Sequence, residues 1–518
     1  MGSSMWMVVV LFAGCLQLSS CFRLTSTTDN VTENYSYVIV MDGGSSHTNS
    51  YVYEWPTVKE HGTGLIRQKN GTRCNAVLSN FRENPSGAGI SLKTCLDVAQ
   101  DNIPQSQWSS TKVLLGATAG LRLIELEDKA ASAAIIQSVR DYVRVNTTFV
   151  MEPGNIDVLS SEKEAGYAWT SINYIQEVFQ TNALLPASRR NATWGSLEVG
   201  GASAQFAMEV PSSEIPSKFS IRSFNHDYQL LTWSFLCYGQ NEAHRRYRGL
   251  LIASQSFRNL TYDACMPIGT DPIAIKHTDL FDQTCSRLNV PASQKKTVYY
   301  ITGGGDEPQC RRETKRLFQM YPNQTATVCP FQDPDCSFQS TKEQFAKVPS
   351  GRFLAKGGFY FAAADLRTIT NNSFELSPFD ADGYDRARLT VCAKSFDELK
   401  DLLLIHTAMR IDFLLRLCFM ATYNEILLDE VYGFKEEQLR EMVIANDVQG
   451  QDVGWAFGWG LVASTDPAPS STGSPMTNGS TAPSIVSTTT SGSDVTSPRW
   501  HTILVAVLLL AVGTSSAY

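Results

Sequence analysis

The pattern of apolar and polar positions predicts β-strands that lead into glycine-rich loops. The runs YSYVIV (35–40) and SYVYEW (50–55) are rich in Val and Tyr, which is typical of strands, and they flank the loop MDGGSSHT (41–48). The segment SLEVGGASAQFAME (196–209) predicts the same order of strand, glycine loop and strand. A further strand that enters glycines is predicted at TVYYITGGGD (297–306).

Two other stretches carry the apolar periodicity of helices. TKVLLGATAGLRLI (111–124) predicts a strand, a tight loop of small residues and the start of a helix that continues through residues 125–143. The stretch 396–433 predicts one or two helices. Because strands alternate with helices along the chain, the sequence predicts an α/β fold.

The two glycine loops repeat one pattern. In each, an acid ends a strand and glycines and small hydroxyl residues follow, at Asp42-Gly43-Gly44-Ser45-Ser46 and at Glu198-Val199-Gly200-Gly201-Ala202-Ser203. The acids lie about 155 positions apart. This repeat predicts two lobes that each contribute one hairpin.

The residue types in these loops suit a phosphate ligand. Glycine lacks a Cβ, so backbone N–H groups can approach an anion closely, and serine hydroxyls add further donors. A carboxylate repels phosphate but can hold the metal ion that accompanies it. One such loop is most often only a turn, whereas two facing loops would grip a polyphosphate from both sides.

Both ends of the chain predict export to the cell surface. Residues 1–21 resemble a cleaved secretory signal peptide, with an uncleaved signal anchor as the alternative. Residues 467–498 form a Ser/Thr/Pro-rich stalk, and residues 499–518 are a hydrophobic tail. The apolar part of that tail is short for a helix of ~20 residues, so we favour a GPI-anchor signal over a single membrane span.

Composition agrees with a lumenal or extracellular globular protein. The net charge of −8 excludes the basic surface of a nucleic-acid binder. Of 12 cysteines, ten lie beyond the signal region, which predicts five disulfides in an oxidising compartment, and no zinc-ligand spacing occurs. The N-glycosylation sequons are at Asn30, Asn34, Asn70, Asn146, Asn191, Asn259, Asn323, Asn371 and Asn478.

Five ordered segments make the chain resemble the ecto-apyrases, the nucleoside triphosphate diphosphohydrolase family. They are MDGGSSHTNSYVYEWP (41–56), LLGATAGLRLI (114–124), EAGYAWTSINYI (164–175), LEVGGASAQF (197–206) and GWAFGWGLVAS (454–464). The resemblance covers about residues 36–463. Its order and spacing make a chance match improbable.

The resemblance implies two ribonuclease-H-like lobes of the actin, sugar-kinase and heat-shock ATPase superfamily, with an active-site cleft between them. Lobe I would comprise residues 34–165 and 440–466, and lobe II residues 166–439. It also implies the disulfides Cys74–Cys95, Cys237–Cys285, Cys265–Cys310, Cys329–Cys336 and Cys392–Cys418.

The resemblance further implies roles for single residues. Glu164 would be the general base, with Ser203 and Gln205 orienting the attacking water. Asp42 and Glu198 would hold Ca²⁺ or Mg²⁺ through water, although the family has aspartate where Glu198 stands. The phosphate-binding residues would be Gly44, Ser45, Ser46, His47, Thr48, Thr118, Ala119, Arg122, Gly200, Gly201 and Ala202.

Base recognition would use stacking on Tyr360, with Trp455 as a further candidate. The arginine that the family places five residues before Cys418 is replaced by Phe413, so either Arg410 or Arg416 would substitute or a second aromatic would take its role.

The resemblance therefore predicts an extracellular, metal-dependent hydrolase of nucleoside tri- and diphosphates. One alternative is a surface nucleotide-binding protein on the same scaffold with weak or no turnover. An intracellular sugar kinase or chaperone ATPase of the same fold conflicts with the signal, sequons and cysteines.

Overall fold

The structure is a computed structural model, and it describes residues 34–210, 219–318, 351–405 and 409–465. The chain divides into two compact units, Met1–Ala468 and Pro469–Tyr518, and the described residues all belong to the first. The signal peptide, the stalk and the hydrophobic tail lie outside the described residues. No helix within the described residues is long and apolar enough to cross a membrane.

The elements alternate along the chain as predicted for an α/β protein. The strands are β1 Tyr35–Gly43, β2 Thr48–Pro56, β3 Arg67–Cys74, β4 Lys112–Ala117, β5 Ile156–Val158, β6 Gly195–Val199, β7 Ser203–Glu209, β8 Phe219–Ser223, β9 His226–Leu236, β10 Leu260–Asp263, β11 Ile273–Lys276, β12 Val298–Gly303, β13 Phe353–Gly357, β14 Val443–Ile444, β15 Asp447–Val448 and β16 Gln451–Asp452. The helices are α1 Gly87–Ser91, α2 Lys93–Asp101, α3 Ala119–Glu127, α4 Lys129–Asn146, α5 Ser161–Ile175, α6 Val178–Ala183, α7 Gln240–Ser254, α8 His277–Leu280, α9 Glu307–Lys315, α10 Gly358–Ile369, α11 Ala381–Cys392, α12 Phe396–Ile405, α13 Ile411–Leu414, α14 Leu417–Ile426, α15 Glu436–Glu441 and α16 Trp455–Ser464.

The first sheet has the strand order β3-β2-β1-β4-β5. β1 pairs antiparallel with β2 and parallel with β4, so the predicted first hairpin is present. Strand side chains alternate between faces, and both faces of β1 are buried: Ile39 belongs to the core with α4, and Val40 to the core with α5 and α16. This explains why β1 is apolar almost throughout.

The second sheet has the order β14-β13-β6-β7-β9-β8. β13 runs parallel to β6, which pairs antiparallel with β7, so the second predicted hairpin is also present. α5 packs between the sheets, because its buried residues share one core with apolar residues of both sheets. Glu164 lies in the first turn of α5, and this packing places it in the space between the two hairpins.

Two predicted helices are interrupted. The helix expected through residue 143 breaks into α3 and α4 at Asp128, whose backbone is not helical (φ −148°, ψ 85°) and whose carboxylate accepts the N–H of Ala131. An aspartate at the N-cap position favours the start of a new helix. The apolar periodicity continues on both sides of Asp128, so the sequence pattern did not reveal this start. The stretch 396–433 forms more than two helices, with a break at Arg410, whose backbone is extended.

The structure pairs cysteines in four of the five implied disulfides. These are Cys74–Cys95, Cys237–Cys285, Cys265–Cys310 and Cys392–Cys418. The fifth implied pair, Cys329–Cys336, lies outside the described residues, as do the sequons at Asn30, Asn323 and Asn478.

Segment 440–466 reaches both sheets. β14 adds to the second sheet beside β13, whereas α16 packs against α5 and the first sheet. The assignment of this whole segment to lobe I stays a prediction.

Candidate active site

The two glycine loops meet across one cleft. Loop 1, defined as residues 43–48 between β1 and β2, and loop 2, residues 199–203 between β6 and β7, both line a cleft of about 330 Å³. A Cβ on Gly201 would lie 2.4 Å from Ser45 Oγ, and one on Gly120 would lie 3.2 Å from Ser45 Cα. Glycines are therefore needed where the loops and the start of α3 approach each other.

Most of the predicted site residues line this cleft. They are Asp42, Gly44, Ser45, Ser46, His47, Thr118, Ala119, Glu164, Glu198, Gly200, Gly201, Ala202, Ser203, Gln205 and Trp455. The repeat recognised in the sequence thus brings both hairpins to one place.

Three predicted residues are placed differently. Thr48 is fully buried, and its hydroxyl donates to the carbonyl of Ala76 (2.8 Å), so it closes loop 1 instead of facing a ligand. The guanidinium of Arg122 points to Glu164, behind the lining of the cleft. Tyr360 packs on the core of the second sheet, while its neighbour Phe361 lines the cleft and is 51% exposed.

A row of polar side chains crosses the second sheet. Strand register places Lys356 of β13 beside Glu198 of β6, Glu198 beside Gln205 of β7, and Gln205 beside Ser234 of β9. Register partners point to the same face of a sheet, so these four side chains form a line along the floor of the cleft. Three of the four line the cleft directly.

Glu164 is held by a hydrogen-bond network at one end of this row. Its Oε2 accepts from the Arg122 guanidinium (2.5 Å) and from the Ser234 hydroxyl (3.4 Å). Arg122 also donates to the hydroxyl of Ser203 (3.2 Å), and the amide of Gln205 donates to Ser203 and Ser234. The carboxylate is only 6% exposed, so it is not the solvated surface acid that its charged neighbours in the sequence suggest.

Burial shifts the protonation of the carboxylates. Desolvation raises the pKa of Glu164 above its usual value, and the charge of Arg122 partly offsets this. Desolvation also raises the pKa of Asp42 well above its usual value, and the neighbouring Glu198 raises it further. The pKa of His47 is lowered, first by burial and then by Arg73, so its imidazole is neutral near pH 7.

Besides Phe361, three site residues that bond to other polar groups of the site escaped the sequence interpretation. Lys356 forms an ion pair with Glu198 (3.3 Å), Ser234 binds Glu164, and Asp452 accepts hydrogen bonds from Tyr51 Oη (2.9 Å) and the N–H of Gly454 (2.7 Å). Lys356 had a usable signal, because FLAKGG (353–358) repeats the order of strand, charged residue and glycines. Ser234 had none, since only strand register brings it to the site.

The polar atoms of the cleft fit a cation that carries water. The Oδ1 atom of Asp42 is buried and accepts no hydrogen bond within the described structure, whereas the buried Oε2 atom of Glu198 lies in the ion pair with Lys356 (3.3 Å). The described residues contain no cluster of three or more His, Cys, Asp or Glu side chains that could ligate a metal directly. Two carboxylates without a third ligand suit binding through water.

Two of the aromatic side chains considered for base recognition, Phe361 and Trp455, line the cleft, and Arg416 donates to the lining residue Asn241 (3.0 Å). Phe361 is exposed, whereas Trp455 is 3% exposed and packs against Gly116 and Trp459. Phe413 is 39% exposed, and the guanidinium of Arg416 lies 4.5 Å from its ring centroid.

Comparison with known proteins is consistent with this site. A model of the GDA1/CD39 (nucleoside phosphatase) family matches residues 28–469. Ectonucleoside triphosphate diphosphohydrolase 3 of Mus musculus is 29% identical over 457 residues, covering 85% of this chain and 80% of the relative. Ectonucleoside triphosphate diphosphohydrolase 2 of Homo sapiens is 28% identical over 433 residues, covering 82% and 81%.

The fold has a solved counterpart. The crystal structure of nucleoside triphosphate hydrolases from Neospora caninum superposes with a TM-score of 0.57 at 14% identity, covering 83% of this chain and 92% of that one. The predicted fold class and the predicted class of hydrolase are confirmed. With its motifs, its cleft and a family match over nearly the whole described chain, this protein belongs to the GDA1/CD39 family of nucleoside phosphatases.

Proposed function

We propose that this protein hydrolyses nucleoside tri- and diphosphates to the monophosphate and phosphate at the cell surface. The observation that carries the proposal is the buried carboxylate of Glu164, hydrogen-bonded within a polar network beside two facing glycine loops. The relatives named as ectonucleoside triphosphate diphosphohydrolases support the substrate class.

The glycine loops would hold the phosphate tail. Gly44–Ser46 and Gly200–Ala202 line the cleft, and their backbone N–H groups, apart from that of Gly200, which donates to the carbonyl of Ser203 (2.9 Å), would suit phosphoryl oxygens. Thr118 and Ala119 add the amino-terminal end of α3, where backbone N–H groups and the helix dipole favour an anion.

Glu164 would accept a proton from the attacking water. Its charge partner Arg122 offsets part of the rise in pKa that burial causes, and so favours the anionic carboxylate that a general base requires. Ser203 and Gln205 are hydrogen-bonded within the network around Glu164, and they would orient the water in line with the terminal phosphate.

A divalent cation fits between the loops. Asp42 and Glu198 would hold Ca²⁺ or Mg²⁺ through water, because the buried Oδ1 of Asp42 accepts no hydrogen bond within the described structure and the described residues form no direct three-ligand site. Glu198 would do so beside its ion pair with Lys356 (3.3 Å). When bound, the ion would neutralise negative charge on the phosphates.

The nucleobase would stack on Phe361 instead of Tyr360. Phe361 is the exposed ring at the cleft, and Arg416, which donates to the lining residue Asn241 (3.0 Å), would supply the cationic partner. Trp455 is almost completely buried, so its indole would contact a ligand only by its edge.

The cell-surface location rests on features of the chain. Of the six described sequon asparagines, all except the half-buried Asn70 are exposed, as glycan attachment requires. The predicted signal peptide and C-terminal anchor add to this support.

Phosphate release from ATP, ADP and GDP with Ca²⁺ or Mg²⁺ tests the proposal. Glu164→Gln should lower kcat by about 10²–10⁴-fold while nucleotide binding is kept. Glu162→Gln, two residues away in the same turn of α5 and outside the cleft lining, is the matched control and should stay active. Phe361→Ala should raise KM more than Tyr360→Ala does. If the wild-type protein binds nucleotide but releases no phosphate, it is a binding protein on this scaffold and the proposal is wrong.

A further inference from the structure

A buried lysine lies among the carboxylates of the cleft. Lys356 is the penultimate residue of strand β13, and its side chain is 7% exposed. Register places it beside Glu198, and its Nζ atom lies 3.3 Å from Glu198 Oε2. A buried ammonium is costly unless opposite charge surrounds it, so its neighbours determine what it does there.

Those neighbours are the acidic cluster, which we define as Asp42, Glu198 and Asp452. All three line the cleft together with Lys356. A Cβ on Gly454 would lie 3.0 Å from Asp452 Oδ1 and 3.6 Å from Lys356 Nζ, so the ammonium and this carboxylate border the same small space.

We propose that the ammonium of Lys356 weakens the binding of a divalent metal ion to the acidic cluster when no nucleotide is present. The metal ion would then bind together with the polyphosphate. The inference rests on the proposed function, because it names how this chain controls the metal at that site. Lys356 is thus a specificity-determining residue for the metal–nucleotide complex.

The physical reason is electrostatic. Without the ammonium, the three carboxylates that line the cleft would attract a divalent cation with no positive charge of the protein among them. With it, one positive charge already lies in the cluster and repels an arriving metal over a few ångströms, at several times thermal energy for an effective dielectric of about 20. A polyphosphate brings enough negative charge to reverse this balance.

Calorimetric titration of the nucleotide-free, full-length protein with Ca²⁺ alone and with Mg²⁺ alone tests the inference. Lys356→Met should bind each ion at least ~10-fold more tightly than wild type, and Lys356→Arg, which keeps the charge, should resemble wild type. Lys112→Met is the matched control, because Lys112 pairs with Glu152 on the surface (3.0 Å), and should leave metal binding unchanged. Equal affinities of Lys356→Met and wild type would overturn the inference, as would a Lys356→Arg protein that behaves like Lys356→Met.

A second measurement needs only the wild-type protein, in case Lys356→Met fails to fold. Metal alone at micromolar concentration should leave the melting temperature unchanged, and metal with a nonhydrolysable ATP analogue should raise it. A rise with micromolar metal alone would contradict the inference. Failure of the proposed function would show separately, as absence of phosphate release from wild type regardless of the titrations.

Discussion

At the residue scale, the ion pair between Arg122 and Glu164 favours a general base that is both buried and ionised. Burial removes water that would compete at the carboxylate, but it also favours the protonated, inactive form. Arg122 works against that second effect, and its further bonds to Ser161 (2.7 Å) and Ser203 fix its position. The sequence resemblance assigned Arg122 to phosphate, because it shows the residue in α3 but not the direction of its side chain.

The pH profile of hydrolysis should report this pair. Glu164 must be ionised to accept a proton, so kcat/KM should fall as pH drops through its raised pKa. Arg122→Met removes the charge that lowers this pKa. The pKa of Glu164 then rises, and its carboxylate stays protonated up to a higher pH. The acidic limb of the profile should therefore move to higher pH.

A surface variant controls for the general loss of a charge. Arg144 forms an exposed ion pair with Asp141, and Arg144→Met should leave the acidic limb where it is. An acidic limb that stays in place or moves downward in Arg122→Met would show that Arg122 does not stabilise the ionised base.

At the scale of elements, the cleft depends on glycines that sequence motifs did not reveal. Gly239 lies between β9 and α7, and a Cβ there would come within 2.3 Å of Ala202 N and 2.4 Å of Ser203 N. The neighbouring N–H groups of Gln240 and Asn241 donate to the carbonyls of Gly200 and Gly201. Gly239 therefore lets the start of α7 support loop 2 from behind.

Gly239→Ala should displace loop 2 from behind, without placing a new side chain in the cleft. The backbone of Gly239 is ordinary (φ −72°, ψ 158°), so the added methyl acts only through its clash with backbone atoms. A displacement near 1 Å costs about 10²-fold in rate where reacting groups must be aligned, so kcat/KM should fall by about that factor. Steady-state kinetics with ATP, beside a melting curve, measures this effect.

Gly351→Ala is the matched control for this substitution. A Cβ at Gly351 would meet nothing within 4 Å, so activity should be unchanged. Full activity of Gly239→Ala would mean that loop 2 does not need its support from α7.

The same scale shows what the sequence could predict about the site. The repeat of strand, acid and glycines predicted both hairpins and most of the cleft lining, because that order is local in the chain. Lys356 and Ser234 reach the same row only through the pairing of β13 with β6 and of β7 with β9. Strand order and register join residues far apart in the chain, and no local pattern encodes them.

At the scale of the whole molecule, the last described helix returns to the sheet that the chain builds first. α16 shares one core with residues of β1, β2 and α5. Its glycines allow a close approach: a Cβ on Gly458 would lie 1.9 Å from the carbonyl oxygen of Tyr167, and one on Gly460 would lie 2.8 Å from the ring of Tyr53. Family resemblance predicted this return, whereas apolar periodicity alone gave no partner for α16.

Removal of α16 should therefore unfold the body of the protein. Trp455, Phe457 and Leu461 are each at most 3% exposed. Loss of one large buried side chain typically costs 2–5 kcal/mol, so loss of all three approaches or exceeds the total stability of about 5–15 kcal/mol that most proteins have. A chain truncated after Gly454 should give no cooperative melting transition and no phosphate release.

A chain truncated after Thr465 separates this effect from that of the C-terminal tail. It keeps α16 and the residues that line the cleft, so it should melt cooperatively and hydrolyse ATP like the full-length protein. Circular dichroism on heating and phosphate release, measured on both truncations, check the pair of outcomes. If the shorter chain melted cooperatively, the first sheet would hold its core without α16, and the free energy assigned to these three side chains would be too large.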